Sequence, residues 1–356
     1  MKKTGLILVV LSLFFMAFRS VNLIFPTPES FPTPVYNFEK NPLTTEKIEL
    51  GRALFYDPIL SKDSSVSCSS CHSSYNAFAH IDHDLSHGIH DSIGTRNAPA
   101  LMNLAWQSSF MWDGSSNHLD VQPLAPISSS REMDEKIEHV VYKLQHSSRY
   151  PSLFAGAFGD SVITGERVLL AIAQFQLTLI SSNSKYDSVK AGKASFSVME
   201  SNGYALFQKN CNSCHAEPLF SDYKFRNNGL AVDSPLKDYG RYSVTHQQKD
   251  SLLFKTPTLR NIEYTYPYMH DGRFHRLNEV LNHYTSGIVQ SATLDNQLQR
   301  PVVLTSNEKV DLIAFLLTLS DRTFVFNTKF SYPRQLFSLP SNQKTILTPQ
   351  PPNSNQ

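Results

Sequence analysis

Apolar residues along the chain gather into a few dense runs, and the polar stretches between them set its organisation. The first run, residues 5–18, follows a basic Met1-Lys2-Lys3 start. Fourteen residues are short for a membrane span, which needs about 20, and suit the hydrophobic stretch of an export signal. Residues 17–20 (Ala-Phe-Arg-Ser) lack paired small residues for cleavage, so an uncleaved N-terminal membrane anchor is the alternative. No cysteine follows to carry a lipid. Residues 1–25 are therefore read as export signal or anchor, with the body of the protein exported to the periplasm. Residues 26–44, with Pro26, Pro28, Pro32 and Pro34, read as an extended linker. Gly51-Arg52-Ala53-Leu54-Phe55 and Gly203-Tyr204-Ala205-Leu206-Phe207 each read as the end of an amphipathic helix. Residues 167–179 (RVLLAIAQFQLTL) predict a further helix, and residues 312–319 (LIAFLLTL) the last core helix. Between them, residues 181–193 are polar, carry Gly192 and read as an interdomain linker. Residues 331–356 read as an extended tail, loose from Pro340 onward where Pro, Gln, Asn, Ser and Thr dominate.

Composition narrows the class. The 356 residues are 41% hydrophobic and 18% charged, which suits a globular body with room for two cores. The net charge of +1 gives no basic excess for nucleic acid and no acidic tail for a basic partner. All four cysteines fall in two short motifs, Cys68-Ser69-Ser70-Cys71-His72 and Cys211-Asn212-Ser213-Cys214-His215. That usage speaks against a disulfide framework and against a cysteine nucleophile. In C-x-x-C-H, two thiols form thioethers to the vinyl groups of a haem, and the histidine becomes the proximal iron ligand. A zinc site would require the two distant pairs to meet and would leave both histidines unexplained. Two covalently bound c-type haems follow, held by Cys68, Cys71 and His72 and by Cys211, Cys214 and His215. The repeated helix-plus-motif unit implies a mostly α protein of two cytochrome-c-like domains, each around one haem, over residues 45–185 and 195–330.

These residues carry a resemblance. The chain looks like a bacterial di-haem cytochrome c peroxidase, a family that also contains the MauG-type enzymes. The likeness spans about residues 45–330 and rests on specific stretches: Leu54-Phe55-Tyr56-Asp57-Pro58, both haem motifs, Thr95-Arg96-Asn97-Ala98-Pro99, Phe110-Met111-Trp112-Asp113-Gly114, Glu132-Met133, Thr256-Pro257-Thr258-Leu259-Arg260-Asn261 and Tyr266-Pro267-Tyr268-Met269-His270-Asp271-Gly272. The resemblance implies reduction of hydrogen peroxide to water at the first haem. Electrons would come from a small cytochrome c or cupredoxin through the second. It further implies a homodimer and a calcium ion between the domains, with Asn97, Thr265 and Pro267 at the matching positions. Ca²⁺ favours such hard oxygen ligands.

The family places a Gln and a Glu over the first haem, ten and twenty residues after its Trp. Here these are Gln122 and Glu132. A peroxidase needs a general acid/base to carry a proton from the near peroxide oxygen to the far one. A carboxyl group shielded from water has a raised pKa suited to that task. Trp112 matches the family's Trp between the haems, an electron path whose structural alternative is a core aromatic. Trp106 has no such match and reads as core.

Two positions depart from the pattern. Where reductively activated peroxidases carry a distal histidine, the gapless position is Ile89, flanked by His87 and His90, with His80 and His83 nearby. A shifted loop would let His87 or His90 bind, and a separate metal site on the four histidines is a further alternative. The reading followed here is a five-coordinate first haem, open to peroxide. Fourteen residues after the His of the H-D-G stretch, electron-transferring members carry Met; here Tyr284 stands there, as in MauG-type enzymes. A phenolate ligand lowers the reduction potential that a thioether raises. Met269 and His283 are the rival ligands. Three functions are thereby framed: a peroxidase, a MauG-like enzyme that uses peroxide to oxidise residues of a partner protein, and a non-catalytic di-haem electron carrier.

Overall fold

A computed structural model describes residues 22–80 and 82–338. Residues 1–21 of the segment read as export signal or anchor (1–25), and the loose tail from Pro340 onward, lie outside the described residues. The regular structure is almost entirely helical: α1 (Thr45–Tyr56), α2 (Ile137–Gln145), α3 (Tyr150–Phe158), α4 (Gly165–Leu177), α5 (Lys185–Lys190), α6 (Val198–Asn210), α7 (Leu277–Asn282) and α8 (Ser306–Leu317), with one short antiparallel ribbon, β1 (Phe225–Arg226) on β2 (Phe254–Lys255). Among the described residues, no helix is long and apolar enough to cross a membrane.

The sequence repeat is a repeated helix crossing. α1 begins at Thr44, whose hydroxyl accepts the Lys47 N–H at 3.2 Å. It crosses α4 at Gly51, where an added Cβ would lie 1.8 Å from Ala171 O. α6 opens on a Ser197/Glu200 capping box and α8 on a Thr305/Glu308 box. These two cross at Gly203, where a Cβ would lie 2.0 Å from Asp311 O. Only glycine permits such backbone approach. One turn along, Phe55 packs on Phe175 and Phe207 on Phe315, with ring centroids 5.2 and 5.1 Å apart. Each crossing is followed along the chain by its motif: Cys211 comes directly after α6, and Cys68 comes a loop after α1.

The first half is filled by Leu50, Leu54, Val140, Tyr150, Phe154 and Ile172, and the second by Tyr186, Phe207, Phe220, Leu312 and Phe315. A third cluster runs between them, joining Phe55, Phe78, Met102 and Phe175 to Leu219, Phe324 and Val325. The halves thus share a continuous core.

Two segments read as linkers, and the start of the one read as a tail, are built into the body instead. Residues 26–44 are extended, as the prolines require, but packed: Val35 N–H donates to Ala105 O at 2.9 Å and Trp106 Nε1 to Pro32 O at 2.7 Å. Phe31 lies 5.0 Å from the Trp106 ring, which is itself core as expected. The aromatic residues interleaved with the prolines supply the anchorage. Within residues 181–193, α5 is capped by Ser184, and Asp187 takes a bidentate pair from the wholly buried Arg260 at 2.7 and 2.9 Å. Residues 331–338 fold back on the first half. Arg52 donates to Ser331 O at 2.9 Å, and the Arg149 guanidinium lies 4.4 Å from the Phe337 ring.

Candidate functional site

The two motifs are prepared in the same way. Cys68–Cys71 forms one helical turn, and His72 follows it. The His72 Nδ1 lies 2.8 Å from Phe78 O. A carbonyl only accepts, so Nδ1 carries the proton and Nε2 keeps its lone pair. In the second motif, His215 Nδ1 lies 3.1 Å from Pro257 O and 3.3 Å from Phe220 O. Phe78 and Phe220 are both fully buried and both left-handed, with φ of 61° and 53°. Each turns its carbonyl toward the imidazole five or six residues before it. Burial lowers His72 to about 4 and lowers His215 as well, yet both side chains keep partial exposure. That combination describes groups lining an internal crevice.

The four thiols are free. Burial pushes Cys68 and Cys211 up to about 12 and Cys71 to about 11, and raises Cys214. Paired free thiols beside a histidine suit thioether attachment of a haem. With a carbonyl-oriented imidazole beside each pair, the residues present fit a c-type haem at each motif.

Glu132 stands over the first motif. Its charge acts on both Cys68 and Cys71, and burial alone raises its pKa. No hydrogen bond or ion pair reaches its carboxyl among the described residues. Its backbone is held firmly: Glu132 N–H donates to Ser129 O at 3.0 Å, and Glu132 O accepts the Ile89 N–H at 2.8 Å. Gly88 makes that contact fit, since a Cβ there would lie 2.2 Å from Arg131 O and 2.5 Å from Glu132 Cα. Gln122 is held from the other side, donating through Nε2 to Met111 Sδ at 3.4 Å, next to Trp112.

The histidine loop gives no imidazole at the gapless distal position. Ile89 is buried there. His87 pairs with Asp91 through Nδ1 at 2.8 Å and stacks on His83 at 4.0 Å. His90 is three-quarters exposed and faces Asp63 at 3.8 Å. His80 lies 5.3 Å from His83. Among the described residues, no group of three or more His, Cys, Asp or Glu is arranged to hold a metal ion, which removes the four-histidine metal site.

Trp112 lies on the seam between the halves. Its Nε1 donates to Asn97 O at 2.9 Å, and its own carbonyl accepts the Lys255 N–H at 2.7 Å. Arg96 spans the same seam, with Asp113 at 2.6 Å and Asp238 at 2.6 and 2.9 Å. Asn97 N–H donates to His270 O at 2.7 Å, which brings Asn97 against the segment bearing Thr265 and Pro267.

At the second motif, Tyr284 sits in a π-helical turn, His283–Gly287, after α7. Such turns recur at functional sites. Burial pushes its hydroxyl up to about 12; the Asn228 amide lowers it, and Cys211 and Cys214 raise it. The hydroxyl therefore stands by the second pair of thiols. Asn228 also donates to Met269 Sδ at 3.4 Å. His283 is otherwise engaged: its Nε2 donates to Asn228 O at 3.0 Å and the ring is buried. The three candidate ligands, Tyr284, Met269 and His283, thus all gather around Asn228. Sequence reasoning missed Phe78, Phe220, Asn228 and Lys255. Only the first two had a signal, a Phe recurring at nearly equal distance after each motif.

Comparisons with known proteins agree with this geometry. A family profile described as "Di-haem cytochrome c peroxidase" matches residues 45–195. The chain is 36% identical over 302 residues to the methylamine utilization protein MauG of Methylophilus methylotrophus, covering 83% of this chain and 87% of that protein. It is 33% identical over 284 residues to cytochrome c551 peroxidase of Nitrosomonas europaea, covering 78% and 81%. Among solved structures, a MauG-like protein associated with microbial copper homeostasis superposes with a TM-score of 0.79 at 31% identity, over 88% of this chain and 99% of that one. The fold also matches the diheme peroxidase BthA of Burkholderia thailandensis, with a TM-score of 0.70 at 22% identity over 86% and 94%.

Proposed function

The chain belongs to the di-haem cytochrome c peroxidase family, and from that premise we propose that it reduces hydrogen peroxide to water, with Glu132 as the proton-transfer group at the first motif. It is an enzyme with peroxidase activity. The observation that carries the assignment of Glu132 is its partly buried carboxyl group near Cys68 and Cys71, raised in pKa by burial and, among the described residues, without a hydrogen-bond or ion-pair partner. Structural carboxylates in this chain, such as Asp187 and Asp238, are held low by arginine partners despite burial.

Two c-type haems, held by Cys68, Cys71 and His72 and by Cys211, Cys214 and His215, supply the redox-active iron when bound. The chain's own residues do the rest. Glu132 takes a proton from the near oxygen of the peroxide and returns it to the far oxygen as the O–O bond breaks. Gln122 orients the peroxide from the Met111 side. Two electrons and two protons complete the conversion of one peroxide to two waters, and Trp112 carries the electrons across the seam. Residues 45–185 form the peroxidatic domain and 195–330 the electron-accepting one, fed by a small cytochrome c or cupredoxin. With Ile89 at the gapless distal position, the chain would offer no second side-chain ligand to the first haem and would leave it open to peroxide at rest. Tyr284, whose hydroxyl lies by Cys211 and Cys214, would supply a ligand to the second haem when it is bound. Asn97, Thr265 and Pro267 would hold a calcium ion near Trp112, and the protein would act as an exported homodimer.

A second reading, oxidation of residues on a partner protein in the MauG manner, is favoured by Tyr284 beside the second thiols and by the buried Ile89. An electron carrier has no use for an unpartnered carboxyl over one motif. The test is peroxide turnover by Glu132→Gln with haem content unchanged: loss supports the assignment and unchanged turnover removes it.

A further inference from the structure

A half-buried lysine sits where the two halves clamp Trp112, and neither the proton transfer at Glu132 nor the attachment motifs use it. Lys255 ends β2, and its backbone N–H donates to Trp112 O at 2.7 Å. Its ammonium donates to Gln107 Oε1 and to Ser109 O, each at 2.8 Å, and stands 5.7 Å from the centre of the Phe110 ring. All of these partners are neutral. The carboxylate that acts on it, Asp113, is committed to Arg96 at 2.6 Å, while Arg241 holds the Asp113 carbonyl at 3.0 Å. On its own strand, Phe254 stacks on His270 at 3.7 Å, and burial lowers His270 to about 4, so that ring is neutral near pH 7.

Burial pulls the Lys255 ammonium down to about 7, with Asp113 opposing. An ammonium enclosed among neutral acceptors loses its proton early, whereas the neighbouring arginines keep theirs. Lys255 is thus the cation on this seam whose charge changes near neutrality.

We propose that Lys255 is a positioning residue whose charge sets how readily Trp112 yields an electron, making electron passage between the halves pH-dependent. The proposal rests on the reading of Trp112 as the electron path. In the step concerned, one electron leaves the indole toward the first motif and one electron from the second motif refills it. No bond forms or breaks, and the Nε1 proton stays in its hydrogen bond to Asn97 O. A charged Lys255 opposes the positive charge left on the indole, and a neutral one does not.

The experiment compares the wild-type holoenzyme with Lys255→Arg, Lys255→Met and Trp112→Phe between about pH 6 and pH 8.5. Stopped-flow absorbance reads electron transfer between the sites, and rapid-freeze paramagnetic resonance reads the tryptophan radical. Wild-type transfer is expected to rise about fivefold to tenfold with pH, with a midpoint near the about 7 of Lys255. Lys255→Arg stays flat at the slow level and Lys255→Met flat at the fast level, and radical yield follows the same order. A wild-type rise retained in Lys255→Arg overturns the proposal, and that variant decides the matter alone if Lys255→Met does not fold. Should Trp112→Phe transfer as fast as wild type, the Trp112 path itself fails. Should Trp112→Phe block transfer while the lysine variants keep the wild-type profile, only the role of Lys255 fails.

Discussion

Replacing Glu132 by Gln keeps the shape of the side chain and removes its ability to ionise. Positioned acid/base catalysis contributes about 10²–10⁴ in rate, or about 3–5 kcal/mol of barrier. Turnover should fall by that range, while haem content and spectrum stay at wild-type values. Stability should move the other way. Folding raises the Glu132 pKa above its ordinary value, so the folded state favours the neutral carboxyl and ionisation works against the fold. The penalty is absent below the unfolded value, where both states are protonated. It grows as pH rises and is complete above the folded pKa. Glutamine carries no such penalty, and no hydrogen bond of the carboxyl is lost. The variant should therefore melt higher than wild type at pH 7, with the difference vanishing near pH 4. Steady-state turnover with a reduced donor and calorimetry at the two pH values read both effects. Unchanged turnover with intact haems, or a variant that melts lower at pH 7, would refute the reasoning.

Further consequences follow from the same geometry. Gly51→Ala and Gly203→Ala each drive a methyl group into a facing carbonyl, and denaturant titration should show each losing about 1–3 kcal/mol or more. On the proposed ligation, Tyr284→Met replaces a phenolate donor by a thioether, so potentiometry should place the second centre at a higher potential; an unchanged potential would mean that Tyr284 only packs. Asp187→Asn leaves Arg260 buried without its counter-charge and should lose about 3–5 kcal/mol by chemical denaturation.

Much of this architecture is legible from residue order, because covalent and crossing constraints are local. Each Cys-x-x-Cys-His needs one helical turn, and each Gly-x-Ala-Leu-Phe needs a partner helix at backbone distance. Gln122 and Glu132 were findable only by their spacing from Trp112, since an isolated Glu on a polar loop looks like a surface charge. The strap of residues 26–44 was misjudged because its prolines report backbone conformation, whereas Phe25, Phe31 and Phe38 report packing. Asn228 and Lys255 were invisible, since their surroundings are assembled from segments far apart in the chain. The meeting of Tyr284, Met269 and His283 at Asn228 was likewise invisible, since residue 228 lies far from all three in the chain.

The claim at the centre of this account is that peroxide is reduced at a first site open at rest, with Glu132 over Cys68 and Cys71. Stopped-flow absorbance of the fully oxidised holoenzyme mixed with hydrogen peroxide addresses it directly. A haem spectral change within the first milliseconds, lost in Glu132→Gln, is the expected result. No change until the second centre has first been reduced would contradict it.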